Sequence, residues 1–219
     1  MKTMVLDIGG TAIKSAVAEN GVLSDIRETP TQASLGGEHV MALAKEIIAS
    51  YKEHWDFARI GISTAGQVDP EKGSIIYANH NIPGYTGTPI RAIMEEAFHV
   101  PVYVENDVNA AAIGEAHFGA GRRERDFVCL TYGTGVGGAV FTDGKLYHGS
   151  SFSAGELGAL IVHPEFRRPE EDMYSGCYEK YASTTALVGA ISKDWDDEII
   201  NRLGLPRKIF GRISTPGTK

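Results

Sequence analysis

Cysteine is scarce in this chain, with two residues among 219. Cys129 and Cys177 are far apart in the sequence and form no CxxC pair, which excludes a disulfide framework and a self-contained zinc site. Unpaired thiols are typical of proteins in a reducing compartment. We therefore expect a cytoplasmic protein.

Long apolar runs and an excess of positive charge are also missing. No apolar segment approaches the roughly 18 residues that indicate a membrane helix, and Met1 and Lys2 lead into a strand-like run rather than a signal peptide. Lys and Arg number 21 against 28 Asp and Glu, for a net charge of −7. Because non-specific nucleic-acid binding needs basic residues to displace counterions from phosphates, we expect neither a membrane nor a nucleic-acid partner.

Glycine is abundant, with 26 residues, several of them in short clusters where the backbone turns sharply or meets a ligand. Strand-like runs alternate with helical patterns. From Gly37 to Tyr51 apolar residues recur at spacings of three and four, which predicts an amphipathic helix. The pair Asn20-Gly21 predicts a hairpin turn. The same signals predict strands over Thr3–Ile8, Ile13–Glu19, Val22–Glu28, Arg59–Ser63 and Val102–Glu105, helices over Pro89–Phe98 and Val108–Phe118, and hence an α/β fold.

A strand, a glycine turn and a second strand occur twice. The first turn is in Asp7–Thr11, and the second is Gly133–Gly138, between strands predicted over Phe127–Tyr132 and Ala139–Thr142. Glycine lets backbone N–H groups reach phosphate oxygens without a Cβ in the way. Neither run fits the Walker pattern or opens a long helix as a Rossmann turn does. The repeat predicts two lobes, residues 1–117 and 118–219, whose glycine turns face a shared ligand. A plain tight turn is the alternative for two adjacent glycines alone.

Together these turns resemble the sugar kinase and actin superfamily, and within it the ROK family of bacterial sugar kinases, repressors and open reading frames. Five further stretches carry the resemblance, in the family's order: residues 61–66 (GISTAG), 81–85 (NIPGY), 105–112 (ENDVNAAA), 154–158 (AGELG) and 177–183 (CYEKYAS). The resemblance implies a two-lobed, actin-like ATPase (ribonuclease H-like) fold. It also implies ATP-dependent phosphorylation of a hexose or hexose derivative, such as glucose or N-acetylmannosamine.

Asp107 is the general base that the resemblance implies. It follows a predicted strand and begins a predicted helix, and phosphoryl transfer to an alcohol needs an acceptor-only carboxylate within reach of the hydroxyl. From the residues alone, helix N-capping is the alternative, because Asp is a preferred N-cap. Asn106 beside it matches an Asn that binds sugar hydroxyls in the family.

The resemblance also implies two sets of ligand-binding residues. Asp7 would hold the Mg²⁺ of the nucleotide through water, and Lys14 adds a positive charge near the first turn. Taken alone, Glu156 and Glu179 would be read as solvated surface charges. The implied sugar-binding residues are Gly66, Asn106, Glu156 and Glu179, and the implied ATP-binding residues are Asp7, Gly9, Gly10, Thr11, Lys14, Gly133, Thr134, Gly135 and Gly137.

The sequence departs from the family at a metal site. Many ROK proteins close a tetrahedral zinc site with one histidine and three cysteines. Here Ala159 stands at the histidine position, Glu170 and Asp172 stand at two cysteine positions, and His163 is displaced. Cys177 alone remains and is expected to be a packing residue. We therefore expect a zinc-free variant that uses ATP and Mg²⁺. Because the lost histidine contacts sugar in the family, the identity of the sugar stays open.

The family normally continues well past residue 219, so the resemblance predicts a C-terminally truncated chain with an incomplete second lobe. Poor coverage is then expected for Leu187, Ile191, Trp195 and Ile199. Two alternatives to an active kinase are a non-catalytic sugar-binding ROK protein and an inactive truncated remnant. A ROK repressor would carry a DNA-binding helix-turn-helix ahead of Asp7, where we expect no room for one. Sugar and ATP are the expected partners, with a homodimer left open.

Overall fold

A computed structural model describes residues 1–79 and 81–193 of the chain. Its strands, in chain order, are β1 (Thr3–Ile8), β2 (Ala12–Glu19), β3 (Val22–Pro30), β4 (Arg59–Thr64), β5 (Gln67–Asp69), β6 (Ser74–Tyr77), β7 (Val102–Asn106), β8 (Phe127–Tyr132), β9 (Val136–Thr142) and β10 (Lys145–Leu146). Its α-helices are α1 (Gly37–Lys52), α2 (Ile90–Phe98), α3 (Asp107–Phe118), α4 (Glu179–Ala182) and α5 (Thr184–Lys193). The predicted α/β class is confirmed.

The main sheet has five strands in the order β3-β2-β1-β4-β7. β1 pairs antiparallel with β2 and parallel with β4, and β4 pairs parallel with β7. In register, Ile8 lies beside Thr64, and Thr64 lies beside Asn106. The carboxyl ends of these three parallel strands therefore meet at one edge of the sheet, which is where open α/β sheets bind ligands.

The core lies between this sheet and the helices beside it. Met4, Leu6 and Ile8 of β1 are buried, as expected when alternate side chains of a strand face the core. Helix α1 buries one stripe against the same cluster: Val40, Met41, Ala44, Ile47, Ile48 and Tyr51.

Several element boundaries differ from those that the sequence predicted. Helix α2 begins at Ile90 because Pro89 occupies the N-cap position. Helix α3 begins one residue early, at Asp107, because Asn106 is its N-cap. Strand β9 begins at Val136, three residues before the predicted Ala139, so Gly137 and Gly138 belong to the strand and not to the turn. The β5–β6 hairpin was not predicted, since its strands are too short to show a period.

A smaller sheet has the order β10-β9-β8. Phe127 of β8 stacks on Phe141 of β9 with ring centroids 4.6 Å apart. Both rings pack in a second buried cluster that includes Ala112 of α3 and Ala139. This cluster fixes α3, whose first turn carries the predicted base, against the β9 strand.

Chain contacts divide the protein into two compact units. The first comprises residues 1–129 and 139–155, and the second comprises residues 130–138 and 156–219, of which the structure describes 130–138 and 156–193. The lobes predicted at 1–117 and 118–219 and their shared cleft stay predictions. In the second unit, Leu187 is 48% exposed. Trp195, Ile199 and the side chain of Ile191 lie outside the described part. None of the described helices is long and apolar enough to cross a membrane.

Candidate functional site

The first glycine turn links β1 to β2. Gly9 N donates to Ala12 O at 3.1 Å, and the buried Thr31 donates from its Oγ1 to Gly9 O at 2.7 Å and from its backbone N to Thr11 O at 3.0 Å. A Cβ at Gly9 would lie 3.1 Å from Ala12 O, whereas a Cβ at Gly10 would have no atom within 4 Å. The surrounding backbone therefore leaves little room for a side chain at Gly9 and leaves open space at Gly10. A ligand that approaches the backbone closely would be a physical reason for glycine at position 10.

Asp7 and Lys14 flank this turn. They are paired in the β1–β2 ladder, and cross-strand partners project from the same face of a sheet. Asp7 Oδ1 accepts a hydrogen bond from Ser63 Oγ of β4 at 2.9 Å. Ser63 was not singled out from the sequence, because its partner is 56 residues away. The pair places an oriented carboxylate and a cation beside the turn.

Gly66 lies in the turn that follows β4. Its φ of +101° and the 2.9 Å distance from an added Cβ to Tyr77 O both require glycine. The turn is anchored by Thr64 Oγ1 and Tyr85 OH, which are 2.9 Å apart and buried. Burial raises the pKa of Tyr85 to about 12, so the phenol stays protonated. The backbone geometry thus accounts for glycine at position 66, and its sugar-binding role stays a prediction.

Asn106 caps helix α3, the role that the residues alone suggested for Asp107. Asn106 Oδ1 accepts from Val108 N at 2.9 Å and from Asn109 N at 3.1 Å. Its Nδ2 donates to Gly66 O at 2.9 Å and to Asp107 Oδ1 at 2.8 Å. These bonds engage both amide hydrogens and both lone pairs of the side chain. Asn106 therefore orients Asp107, and binding a sugar hydroxyl would require it to exchange one of these contacts.

Asp107 is the first residue of α3 and its side chain is exposed. Its Oδ1 accepts from Val108 N at 3.0 Å as well as from Asn106. Surrounding protein atoms remove part of the carboxylate's hydration, and this desolvation raises the pKa of Asp107. The charge of Asp7 raises it further, while three hydrogen bonds, from the backbone of Val108, from the backbone of Asp107 itself and from the Asn106 side chain, lower it. A raised pKa brings a carboxylate nearer the pH at which a general base works best.

The second glycine turn lies in the second unit. Gly133 N donates to Gly135 O at 2.9 Å. Thr184 donates to Gly133 O through both its backbone N and its Oγ1, and Thr185 Oγ1 donates to Thr134 O at 2.7 Å. A Cβ at Gly133 would have no atom within 4 Å, so the fold does not require glycine there. The two threonines were missed because no sequence pattern links them to a turn about 50 residues earlier.

Glu179 contacts this same turn. It is the first residue of α4, and its Oε2 accepts from Val136 N at 2.9 Å. A Cβ at Gly135 would lie 2.3 Å from Glu179 Oε2, so a side chain there would displace the end of the flexible Glu179 side chain from its bond to Val136 N. Gly137 lies within β9, and the exposed Glu156 precedes a 3₁₀ turn at Leu157–Ala159. The sugar-binding roles of Glu156 and Glu179 stay predictions.

The segment that departs from the family's zinc motif is held together by its own side chains. Arg167 Nη1 donates to Met173 O at 2.7 Å and to Ser175 O at 3.1 Å. Asp172 forms an ion pair with Lys180 at 2.7 Å, and that hydrogen bond lowers the pKa of Asp172. Cys177 is buried. Across residues 1–79 and 81–193, no three His, Cys, Asp or Glu side chains are grouped so that they could hold a metal ion.

The family model described as "ROK family" matches residues 3–208. An uncharacterised protein of Clostridium perfringens is 48% identical over 162 residues, which cover 74% of this chain and 55% of that protein. A glucokinase of Halalkalibacterium halodurans is 36% identical over 189 residues, which cover 84% of this chain and 57% of that enzyme. The chain therefore spans little more than half the length of these curated relatives.

Solved structures extend this likeness to the fold. The ROK family glucokinase from Streptomyces griseus, solved in complex with glucose and AMPPNP, superposes with a TM-score of 0.76 at 31% sequence identity. The match covers 92% of this chain and 64% of that chain. It confirms the predicted actin-like ATPase fold.

Proposed function

Because the chain belongs to the ROK family, we propose that it transfers the γ-phosphate of ATP to a hydroxyl group of a hexose, with Asp107 as the general base. The observation that supports this most is the Asp107 carboxylate itself. It is exposed, held at the start of α3 by hydrogen bonds, and has a pKa raised by desolvation and by the neighbouring Asp7. A base for an alcohol must be reachable, oriented and acceptor-only, and Asp107 meets all three requirements.

The hydrogen bonds of Asp107 suggest which of its two carboxylate oxygens accepts the proton. Oδ1 accepts from Val108 N and Asn106 Nδ2, so we assign proton acceptance to Oδ2. As the proton moves from the sugar hydroxyl to Oδ2, the sugar oxygen bonds to the γ-phosphorus and the bond to the β-phosphate oxygen breaks, releasing ADP. The Asn106 cap holds Asp107 in one direction throughout, which is the kind of positioning that lowers the entropic cost of reaction.

The residues beside the two turns fit Mg²⁺ and ATP. Mg²⁺ prefers oxygen ligands, usually one or two carboxylates together with water and phosphate oxygens, and Asp7 would supply such a carboxylate. Gly10 and Gly133 would let the backbone approach phosphate oxygens, since neither glycine is needed by the surrounding chain. Bound Mg²⁺ would offset the negative charge of the transferring phosphoryl group. Lys14 would add a positive charge on the first turn.

Glucose is the sugar that we propose to test first. A glucokinase is among the relatives, and the Streptomyces griseus enzyme was solved with glucose bound. Gly66, Asn106, Glu156 and Glu179 belong to this proposal as sugar-binding residues. Asn106 Nδ2 donates to Gly66 O, and Glu179 Oε2 accepts from Val136 N. We therefore expect a bound sugar either to displace one of these bonds or to bind the remaining oxygen of Glu179.

We also propose that the chain works without zinc. Asp172 is engaged by Lys180, and Arg167 crosslinks the carbonyls of Met173 and Ser175, so protein side chains already hold the segment that a metal would otherwise organise. Elemental analysis of protein purified without added metal should find no stoichiometric zinc. One equivalent of zinc would contradict the proposal.

The cellular setting is part of the same proposal. The two cysteines form no disulfide, and ATP is the expected phosphate donor. A cytoplasmic enzyme that needs no nucleic-acid partner fits both features, and a homodimer stays a prediction.

A coupled assay of ADP release tests the function directly. The panel comprises glucose, N-acetylmannosamine, N-acetylglucosamine, fructose and a β-glucoside, each with ATP and Mg²⁺. We expect ADP release that depends on one of these sugars, and titration calorimetry on the same samples measures sugar binding independently. Sugar binding with no sugar-dependent ADP release would contradict the kinase proposal and favour a non-catalytic sugar-binding protein.

A further inference from the structure

Glu105 lies immediately before the Asn106–Asp107 pair and joins three groups. Its Oε1 accepts from Asn106 N at 2.8 Å and from Asn109 Nδ2 at 3.0 Å, and its Oε2 is 2.8 Å from His148 Nε2. Because an ionised carboxylate only accepts, His148 Nε2 is the donor. The side chains of Glu105 and His148 are only 16% and 25% exposed. Such a sheltered pair is ordered more strongly than a typical surface ion pair.

His148 belongs to a short loop that follows β10. Its carbonyl oxygen accepts from Ala154 N at 3.1 Å, which closes residues 148–154 into a compact loop. Phe152 in this loop has a φ of 58°, an uncommon conformation for a bulky residue, and its ring meets the His148 ring edge-on. Backbone strain of this kind persists where the surroundings hold it, and it collects at functional sites.

The loop has a second anchor. Gln67 Nε2 donates to Ser151 O at 2.6 Å, and Gln67 directly follows Gly66. The loop is therefore tied at His148 to the start of α3 and at Ser151 to the turn that contains Gly66. Both anchored elements carry residues proposed to bind the sugar, and Glu156 follows the loop two residues after Ala154.

We propose that His148 is a positioning residue for sugar recognition, acting through Glu105 on Asn106 and Asp107. The inference rests on the proposed kinase function, because it assigns His148 to the sugar side of that reaction. Without the His148 contact, the Glu105 carboxylate can rotate, and the bonds from Asn106 N and Asn109 Nδ2 lose their fixed acceptor. Asp107 then loses the direction that the Asn106 cap gives it. The partners of His148 in the described part of the chain are Glu105, Phe152 and Ala154, and none of them belongs to the first glycine turn, so we expect ATP binding to change little.

Steady-state kinetics of the full chain with glucose and ATP test the proposal. We expect His148→Ala to lower kcat/KM for glucose by about tenfold or more, since small misplacements of a catalytic group are costly, while KM for ATP changes less than about twofold. His148→Gln, whose amide can still donate to Glu105, should recover activity to within about threefold of the wild type. His148→Asn, which is too short to reach Glu105, replaces His148→Ala if the latter does not fold.

A matched control breaks a different His–Glu contact. His163 Nδ1 lies 2.9 Å from Glu165 Oε1 on the surface, and His163→Ala should leave the kinetic constants for glucose and ATP unchanged. Glucose kinetics unchanged in His148→Ala would overturn the proposal. So would parallel losses for glucose and ATP, because a merely structural role predicts them.

Amide hydrogen exchange gives a readout that does not need turnover. His148→Ala should speed exchange in residues 148–154 and in residues 105–109 together, because the Glu105 contact joins them. If the wild-type chain phosphorylates none of the sugars, the proposed function fails. Amide hydrogen exchange in residues 105–109 then tests whether His148 positions the start of α3. Faster exchange confined to residues 148–154 would overturn that positioning role.

Discussion

Replacing Asp107 by Asn removes the proposed proton acceptor while keeping the size of the side chain. General-base catalysis typically contributes about 10²- to 10⁴-fold in rate, which corresponds to about 2.7 to 5.4 kcal/mol of activation free energy. We therefore expect kcat to fall by at least about 100-fold and glucose affinity to change little. Coupled ADP release measures the first quantity, and titration calorimetry measures the second.

The fold should survive Asp107→Asn. The helix cap is the Asn106 side chain, which accepts from Val108 N and Asn109 N and is untouched by the substitution. The amide oxygen of the new Asn can accept from Val108 N as Asp107 Oδ1 does. Losing a negative charge in the first turn of a helix costs about 0.3 to 1 kcal/mol, and the lost repulsion from Asp7 offsets part of that cost. The midpoint of thermal unfolding should therefore shift by only a few degrees.

Asp56→Asn makes the same chemical change at an exposed aspartate between α1 and β4, and it should leave kcat unchanged. A loss of less than about tenfold in Asp107→Asn, or under ~1.4 kcal/mol of barrier, would refute the assignment of Asp107 as the base. A similar loss in both variants would refute it as well, because the effect would then not be specific to the site.

Three further predictions follow from the same contacts. Because the pKa of Asp107 is raised, its carboxylate is protonated at a higher pH than that of an ordinary aspartate, and kcat/KM should begin to fall at that higher pH on acidification. In Asp7→Asn the negative charge that raises the pKa of Asp107 is gone, so the acid limb of the kcat/KM profile should lie at lower pH than in the wild type. Gly10→Ala should keep the wild-type unfolding midpoint and raise KM for ATP about tenfold or more, whereas Gly66→Ala should cost about 1 to 3 kcal/mol of stability in denaturant unfolding. Arg167→Met should cost about 1 to 2 kcal/mol in the same measurement, because the thioether of Met can donate to neither the Met173 nor the Ser175 carbonyl, and an unchanged midpoint would refute that role.

The sequence predicted those features that depend on neighbouring residues. The hairpin at Asn20-Gly21, the amphipathic α1 and the strand before the first turn are local signals, and their outlines match the structure. The choice between Asn106 and Asp107 as the cap of α3 could not be predicted, because both residue types cap helices well. Strand β7 extends one residue further than predicted, to Asn106, so the helix begins at Asp107 and Asn106 takes the N-cap position. The His148–Glu105 contact joins residues 43 apart, and no periodicity links them.

The glycines of the two turns separate into those that the chain needs and those that it does not. A Cβ at Gly9 would lie against the backbone oxygen of Ala12, and a Cβ at Gly135 would displace the Glu179 carboxylate from its bond to Val136 N. Gly10 and Gly133 meet nothing within 4 Å and have no left-handed backbone. Each of these two is followed by a threonine, Thr11 and Thr134. The unexplained glycines therefore occupy the same place in the two copies of the predicted repeat, although they lie in different units. A phosphate oxygen bound at the backbone N–H of each turn, as proposed for ATP, would account for both glycines with one cause.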